Sequence, residues 1–212
     1  MNKKYEFRVI VADPPWSFND KLDGSPSLKK VKRGAAANYQ TLTADQIAAL
    51  PVSEIAASNS ILALWVPSTL LSDGLKVMQA WGYKYKQMYV WVKTKKDAVL
   101  VDDCLSFGMG RLFRQAHEIA LIGTRGSVTK LLKNKSQRSV SFGLNERHSK
   151  KPEHLQDSLE LMFDCDEQTC LELFARRSRS GWTCLGNEIN GQDIREELAQ
   201  MIVENDNANN TV

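Results

Sequence analysis

Arg8-Val9-Ile10-Val11-Ala12-Asp13-Pro14-Pro15-Trp16 is the stretch whose reading decides the fold. The run from Arg8 to Ala12 is apolar, rich in β-branched residues and too short for a buried helix. It predicts a central strand of a parallel sheet. Pro14 and Pro15 cannot donate to a strand ladder, so the strand stops at Asp13. An acid, a rigid turn and an aromatic therefore meet at the carboxyl end of a strand. In open α/β sheets that edge is where ligands bind.

Working outward, apolar runs at 61–66, 88–92, 118–123, 170–175 and 182–186 predict five further strands. Between them lie helical patterns. Thr43 and Gln46 form a capping box. Ser68 is placed to cap a helix that Gly82 closes after Trp81. Pro152 is placed in the first turn of a helix over about 154–163, and 193–203 is amphipathic. Strands alternating with helices predict a mostly parallel α/β sheet with helices on both faces. We read one domain over 1–204, long loops at about 17–38 and 124–150, and an Asn-rich disordered tail over 205–212.

The chain has 212 residues, 42% of them hydrophobic, enough for one sizeable core. No apolar run approaches the roughly 20 residues of a membrane span, and no signal peptide is apparent at the N-terminus. Cys104, Cys165, Cys170 and Cys184 show no C-x-x-C spacing, and His117, His148 and His154 complete no zinc pattern. Reduced thiols in a cytoplasmic protein without a metal site are the expectation. The net charge is only +3, but it is unevenly spread. Lys29, Lys30, Lys32 and Arg33 crowd one loop, and Lys130, Lys133, Lys135 and Arg138 another. Two basic segments on a weakly charged body suit a polyanion partner. If 8–12 and 118–123 run parallel, both segments leave the sheet at the ligand edge, where they can grip phosphates.

The chemistry that Asp13-Pro14 suits is attack by an exocyclic amine. The lone pair of an adenine N6 is delocalised into its ring. A carboxylate oxygen of Asp13 and the Pro14 carbonyl can each accept one amino hydrogen, which localises that lone pair and stabilises the developing charge. Trp16 has two readings, a platform on which the base stacks or an anchor in the core. A methyl donor needs a pocket at the same edge. The turn Arg176-Arg177-Ser178-Arg179-Ser180-Gly181 leaves one late strand, and Asn187-Glu188 leaves the next. A carboxylate just past a strand is placed to accept from ribose hydroxyls. The alternative for Arg176 to Arg179 is a solvated hairpin.

Several blocks then occur in a telling order: Asp13-Pro14-Pro15-Trp16, Tyr39-x-Thr41, Leu64-Trp65-Val66, Val90-Trp91-Val92-Lys93, Phe113 to Glu118, His148 to Pro152, Leu173 to Arg177, and Gly181-Trp182 through Asn187-Glu188. In these the chain resembles the MT-A70 family of adenine N6-methyltransferases, relatives of the catalytic subunit of the mRNA-adenosine methyltransferase. It also resembles the β-class DNA amino-methyltransferases, whose catalytic motif precedes the cofactor motifs. The resemblance implies a Rossmann-like fold and S-adenosylmethionine as methyl donor. Asp13, Pro14, Pro15 and Trp16 match the catalytic tetrapeptide, and Asp13 and Pro15 also match contacts to the methionine end of the cofactor. Lys151 matches a lysine that reaches the cofactor carboxylate, Arg176 an arginine near the ribose, and Asn187 and Glu188 further cofactor contacts. Tyr39 matches an aromatic on the gating loop and Glu118 an acid at the acceptor rim. The departures are a start only a few residues before the first strand, and Arg177-Ser178-Arg179 where the animal enzyme has Pro-His-Asn. The implied acceptor is nucleic acid, DNA ahead of RNA. A non-catalytic partner subunit is the competing reading, and a homo- or heterodimer is compatible with either.

Overall fold

The computed structural model describes residues 4–17, 41–96, 104–108, 112–144 and 151–210. Among these, β1 (Phe7–Ala12), β2 (Ala56–Val66), β3 (Lys84–Thr94), β4 (His117–Arg125), β5 (Val140–Leu144), β6 (Cys170–Leu173) and β7 (Thr183–Leu185) build one sheet. Their order is β5-β3-β4-β2-β1-β6-β7. β1 is parallel to β2 and β6, β6 to β7, and β3 to β5. Only β4 is reversed, antiparallel to both β2 and β3. The mostly parallel α/β sheet is as expected.

The alternation along β1 explains its apolar run. Ile10 and Ala12 enter one core with residues of α1 (Ala44–Ala48), α2 (Val52–Ile55), α3 (Leu71–Ala80) and α6 (Ile194–Asn210), and Phe7 joins them across a register shift between Phe7 and Val9. Val9 and Val11 enter the other, beneath α4 (His154–Met162). Successive side chains point to opposite faces, so a strand covered on both sides has no polar face to show. α5 (Asn187–Asn190) is a single turn between β7 and α6.

The reversal of β4 corrects the expectation that 118–123 runs parallel to 8–12. A parallel return needs a crossover, usually a helix. The described parts of the β3–β4 connection instead fold back on the end of β3. Lys95 N donates to the Cys104 carbonyl (2.8 Å), Ser106 N to that of Lys93 (2.9 Å), and Lys93 N to that of Ala116 (2.8 Å). β4 therefore begins at the edge where β1 ends, and Arg125 lies at the opposite edge.

Other elements differ in detail. The Thr43–Gln46 capping box is present, with contacts of 2.9 and 3.2 Å. Ser68 heads a 3₁₀ turn (Ser68–Leu70), and α3 starts after it without a side-chain cap. Pro152 precedes α4 by two residues. β5 lies inside the segment 124–150 read as loop. The tail read as disordered continues α6 to Asn210, because Asn205 is buried and brackets the backbone of Tyr5. Its Oδ1 accepts from Tyr5 N (2.7 Å) and its Nδ2 donates to the Tyr5 carbonyl (2.9 Å). Cys165 and Cys170, expected as free thiols, form a disulfide. The turn over 166–169 brings their Cα atoms to 5.4 Å, inside the bridging range. No helix among the described residues is long and apolar enough to cross a membrane.

Candidate active site

Asp13 is the first residue past β1, its backbone N–H donating to the Leu173 carbonyl of β6 at 3.3 Å. The chain then turns: Trp16 N donates to the Pro14 carbonyl (2.9 Å), and Leu42 N to that of Pro15 (2.8 Å). The Pro14 oxygen keeps a second lone pair. On one side of Asp13 stands a row of alternating charge. Lys151 Nζ lies 2.9 Å from both Asp13 carboxylate oxygens and 3.1 Å from Glu118 Oε2. Lys93 closes on the other oxygen of Glu118. Lys151 also sits over the Trp65 ring, 5.4 Å from its centroid. Burial pulls the Lys151 ammonium down, but Asp13 and then Glu118 outweigh it and hold it above the ordinary lysine range.

Burial likewise pushes the Glu118 carboxyl up, but Lys151 and Lys93 outweigh it and hold it below the ordinary value of 4.5. A carboxyl depressed by folding stabilises the fold above its unfolded pKa, and that contribution is lost as pH falls through the folded value. Glu118→Gln should therefore lower the melting temperature at neutral pH and converge on wild type in acid. A difference that stays constant from about pH 7 to pH 3 would show Glu118 to be uncoupled from its lysines.

On the other side of Asp13 lies a cavity of about 510 Å³, within the usual range for small-molecule sites. Asp13, Pro15, Arg176, Asn187 and Glu188 line it, as do Leu42, Phe174, Gly191, Asp193, Ile194 and Arg195. Its rim comes from two chain reversals. At the end of β6, Phe174 adopts a left-handed φ of 63°, rare for a non-glycine residue and of the kind that clusters at ligand sites. Past β7, Gly186 packs so close to residue 175 that a Cβ would lie 2.3 Å from the Ala175 carbonyl. The donors and acceptors suit S-adenosylmethionine. Glu188 can accept from vicinal hydroxyls, Arg176 and Asn187 can donate, and Leu42, Phe174 and Ile194 offer apolar surface. Arg176 Nε and Glu188 Oε1 stand 3.6 Å apart.

The MT-A70 family model matches residues 7–188. The chain belongs to the MT-A70 family. Its members are S-adenosylmethionine-dependent methyltransferases. The chain is 28% identical to the Type II methyltransferase M.MunI of Mycoplasma sp, the match covering 96% of this chain and 85% of that protein. It is 27% identical to the probable N(6)-adenosine-methyltransferase MT-A70-like of Oryza sativa subsp. japonica, over 91% of this chain and 24% of that protein. To the human N(6)-adenosine-methyltransferase catalytic subunit METTL3 it is 23% identical, over 88% and 29% respectively. It thus spans most of the Mycoplasma relative and only a quarter or so of the plant and human ones.

Placed on this MT-A70 scaffold, the residues singled out by sequence divide. Asp13, Pro15, Arg176, Asn187 and Glu188 come together at one cavity. Lys151 meets Asp13 and links it to Glu118, but neither Lys151 nor Glu118 is among the residues lining the cavity. Two carboxylates already satisfy the Lys151 ammonium. Trp16 is not a base platform: it is 4% exposed, packed in the core, with Nε1 donating to the Trp65 carbonyl at 2.9 Å. Tyr39, Lys29, Lys30, Lys32 and Arg33 lie outside the described residues. Lys130, Lys133, Lys135 and Arg138 lie on the connection that leaves the far end of β4, at the edge opposite Asp13, where Lys133 pairs with Asp164. The connection then returns along the sheet, and Arg138 stands just before Val140, whose partner Val90 is level with the end of β2. Sequence reasoning missed Lys93, Phe174 and Asp193. Of these, Asp193 carried a readable signal, since its Oδ1 accepts from Arg195 N (2.8 Å) in the first turn of α6.

The solvated-hairpin alternative fails for Arg179. Its side chain is only 17% exposed. It donates to Glu160 (2.7 Å), Asp157 (2.6 Å) and Glu153, while Trp182 Nε1 donates to Glu160 at 2.7 Å. Arg179 thus ties the β6–β7 turn to α4, the helix that follows Lys151. Arg179→Ala should destabilise the protein by about 1.5–3 kcal/mol, the range for hydrogen bonds to charged groups. Denaturant unfolding checks this. A loss under about 0.5 kcal/mol would mean an ordinary surface cluster.

Proposed function

We propose that this chain transfers a methyl group to the exocyclic N6 amine of adenine in nucleic acid, with DNA as the acceptor. The observation that carries this reading is the placement of Asp13 between a cofactor-sized cavity and the charged rim of Lys151 and Glu118. S-adenosylmethionine supplies the activated methyl group. The chain's own residues do the rest. Asp13 accepts one hydrogen of the amine through a lone pair not taken by Lys151, and the Pro14 carbonyl accepts the other through the lone pair that Trp16 leaves. The lone pair of N6 is then turned toward the cavity, where in-line attack needs the reacting atoms about 3–3.5 Å apart. Lys151 holds the carboxylate in place. The base must be unpaired or flipped out of a duplex to arrive there. Tyr39 and the cations Lys29, Lys30, Lys32 and Arg33, on the segment that leaves Trp16, are part of the proposal as acceptor contacts.

DNA is placed ahead of RNA because the relative matched along most of its own length is the Type II methyltransferase. The relatives named for adenosine, a ribonucleoside, are matched over about a quarter of theirs. A cytoplasmic location and self-association are further parts of the proposal. The exposed Val140 and Phe142 of the edge strand β5 support the second, and the oligomeric state in solution checks it. The deciding experiment offers methyl donor with adenine-containing DNA, the matching RNA, or free adenosine, and reads N6-methyladenine by mass spectrometry. Preferred transfer to DNA is expected. Preference for RNA would move the acceptor. Tight cofactor binding without transfer to any acceptor would overturn the proposal in favour of a non-catalytic partner.

A further inference from the structure

A second cavity, of about 430 Å³, opens at the carboxyl end of β3. β3 runs in the direction of β1, since each is related to β4 by one reversal of direction. This cavity therefore shares the sheet edge with Asp13. The backbone bonds that fold 104–108 and 112–116 onto the end of β3 build its walls, with Gly108 N donating to the Gln115 carbonyl at 3.1 Å. Lys93, Lys95, Lys96 and Phe107 line it, and none of its described lining residues is acidic. The Phe107 ring is 75% exposed and carries the Arg114 guanidinium 4.7 Å from its centroid. A single exposed aromatic is ordinary. A ring, a stacked guanidinium and clustered lysines around one concavity are the ingredients of a single-strand platform, where bases stack and cations follow the phosphates.

The cavity is also connected to the site. Lys93 pairs with Glu118, Glu118 with Lys151, and Lys151 with Asp13. Three strand spacings separate β1 from β3, roughly 14 Å, so one base cannot occupy both places. Lys93 is held by Glu118, which leaves Lys95 and Lys96 as the phosphate contacts.

We propose that this cavity binds a nucleotide flanking the target adenine, its base stacked on Phe107 and its phosphate held by Lys95 and Lys96. The proposal rests on nucleic acid being the acceptor. It makes the β3 edge a second contact with the strand, independent of the basic segment at 130–138.

The test measures binding of a fluorescent adenine-containing single-stranded octanucleotide across a salt series, with methyl transfer to the same strand followed in parallel. Phe107→Ala should weaken binding by about 5- to 160-fold, and Phe107→Tyr should restore it. The double variant Lys95→Ala/Lys96→Ala should flatten the slope of log affinity against log salt by roughly 1.4. Thermal melting verifies that the variants fold. Wild-type affinity and slope in both variants would overturn the proposal. The two readings fail separately. A wild-type protein that binds the strand without methylating it sinks the N6-transfer reading, while the variants still decide this one. A wild-type protein that binds no strand overturns this proposal, while transfer to a base flipped out of duplex DNA is still decided by the acceptor comparison above.

Discussion

Asp13→Ala should lower methyl transfer by about 10²–10³-fold or more, the loss seen when one pre-placed hydrogen-bonding group is removed from a transition state. Cofactor binding should weaken far less. Asp13 is one residue among many at its cavity, whereas in the proposed mechanism it is one of two acceptors at the amine. The variant has a second consequence, because Lys151 loses two contacts of 2.9 Å and keeps Glu118 and the Trp65 ring. Asp13→Asn separates the effects. It keeps an oxygen acceptor and the shape but removes the charge that holds Lys151, so its rate should fall between those of wild type and Asp13→Ala. Single-turnover rates with saturating donor, beside calorimetric cofactor binding, check both statements. Turnover in Asp13→Ala within about threefold of wild type would remove Asp13 from the chemistry, since a lost transition-state contact costs far more.

What could be read in the sequence was what local rules determine. The apolar run before two prolines dictates both β1 and the position of Asp13. The turns after β6 and β7 had to reach the same edge, so Arg176, Asn187 and Glu188 could be assigned to one cavity. The direction of β4 could not be read. Ile119 to Ile122 are buried in either direction, and the pairing goes with a connection whose described parts fold back on the end of β3. Expecting a parallel strand put Lys130 to Arg138 at the active edge. The same expectation would have carried Glu118, at the start of that strand, to the far edge. The reversal starts the basic segment from the far edge instead, and Glu118 reaches Lys151 because β4 runs backwards.

Two other features were hidden for different reasons. β5 alternates Val140, Phe142 and Leu144 with Ser141 and Gly143, but its apolar side faces outward and its glycine argues against a strand. Gly143 is there because a Cβ would come within 2.9 Å of the Trp91 indole nitrogen. The end of α6 is Asn-rich, which composition assigns to disorder. Its order comes from Asn205 meeting Tyr5, a contact across 200 residues that no local pattern reports.

Trp16→Ala should be among the most destabilising single substitutions in the chain, by about 3–5 kcal/mol for a buried tryptophan. For a chain of this size that lowers the melting temperature by roughly 6–20 °C. The indole fills the core beneath the turn, and Nε1 satisfies the Trp65 carbonyl at the end of β2. Trp16→Phe keeps most of the volume and loses that hydrogen bond, so it should cost about 1–3 kcal/mol. Because the ring faces inward, any loss of turnover in Trp16→Phe should track loss of folded protein. The backbone of Trp16 adds a subtler coupling. Its N–H donates to Pro14, whose carbonyl is the proposed second acceptor for the amine, so a turn loosened by Trp16→Ala should lose rate slightly ahead of stability. Melting curves and rates measured well below the transition distinguish these cases. A Trp16→Phe protein that melts with wild type yet transfers no methyl would return this residue to the acceptor base.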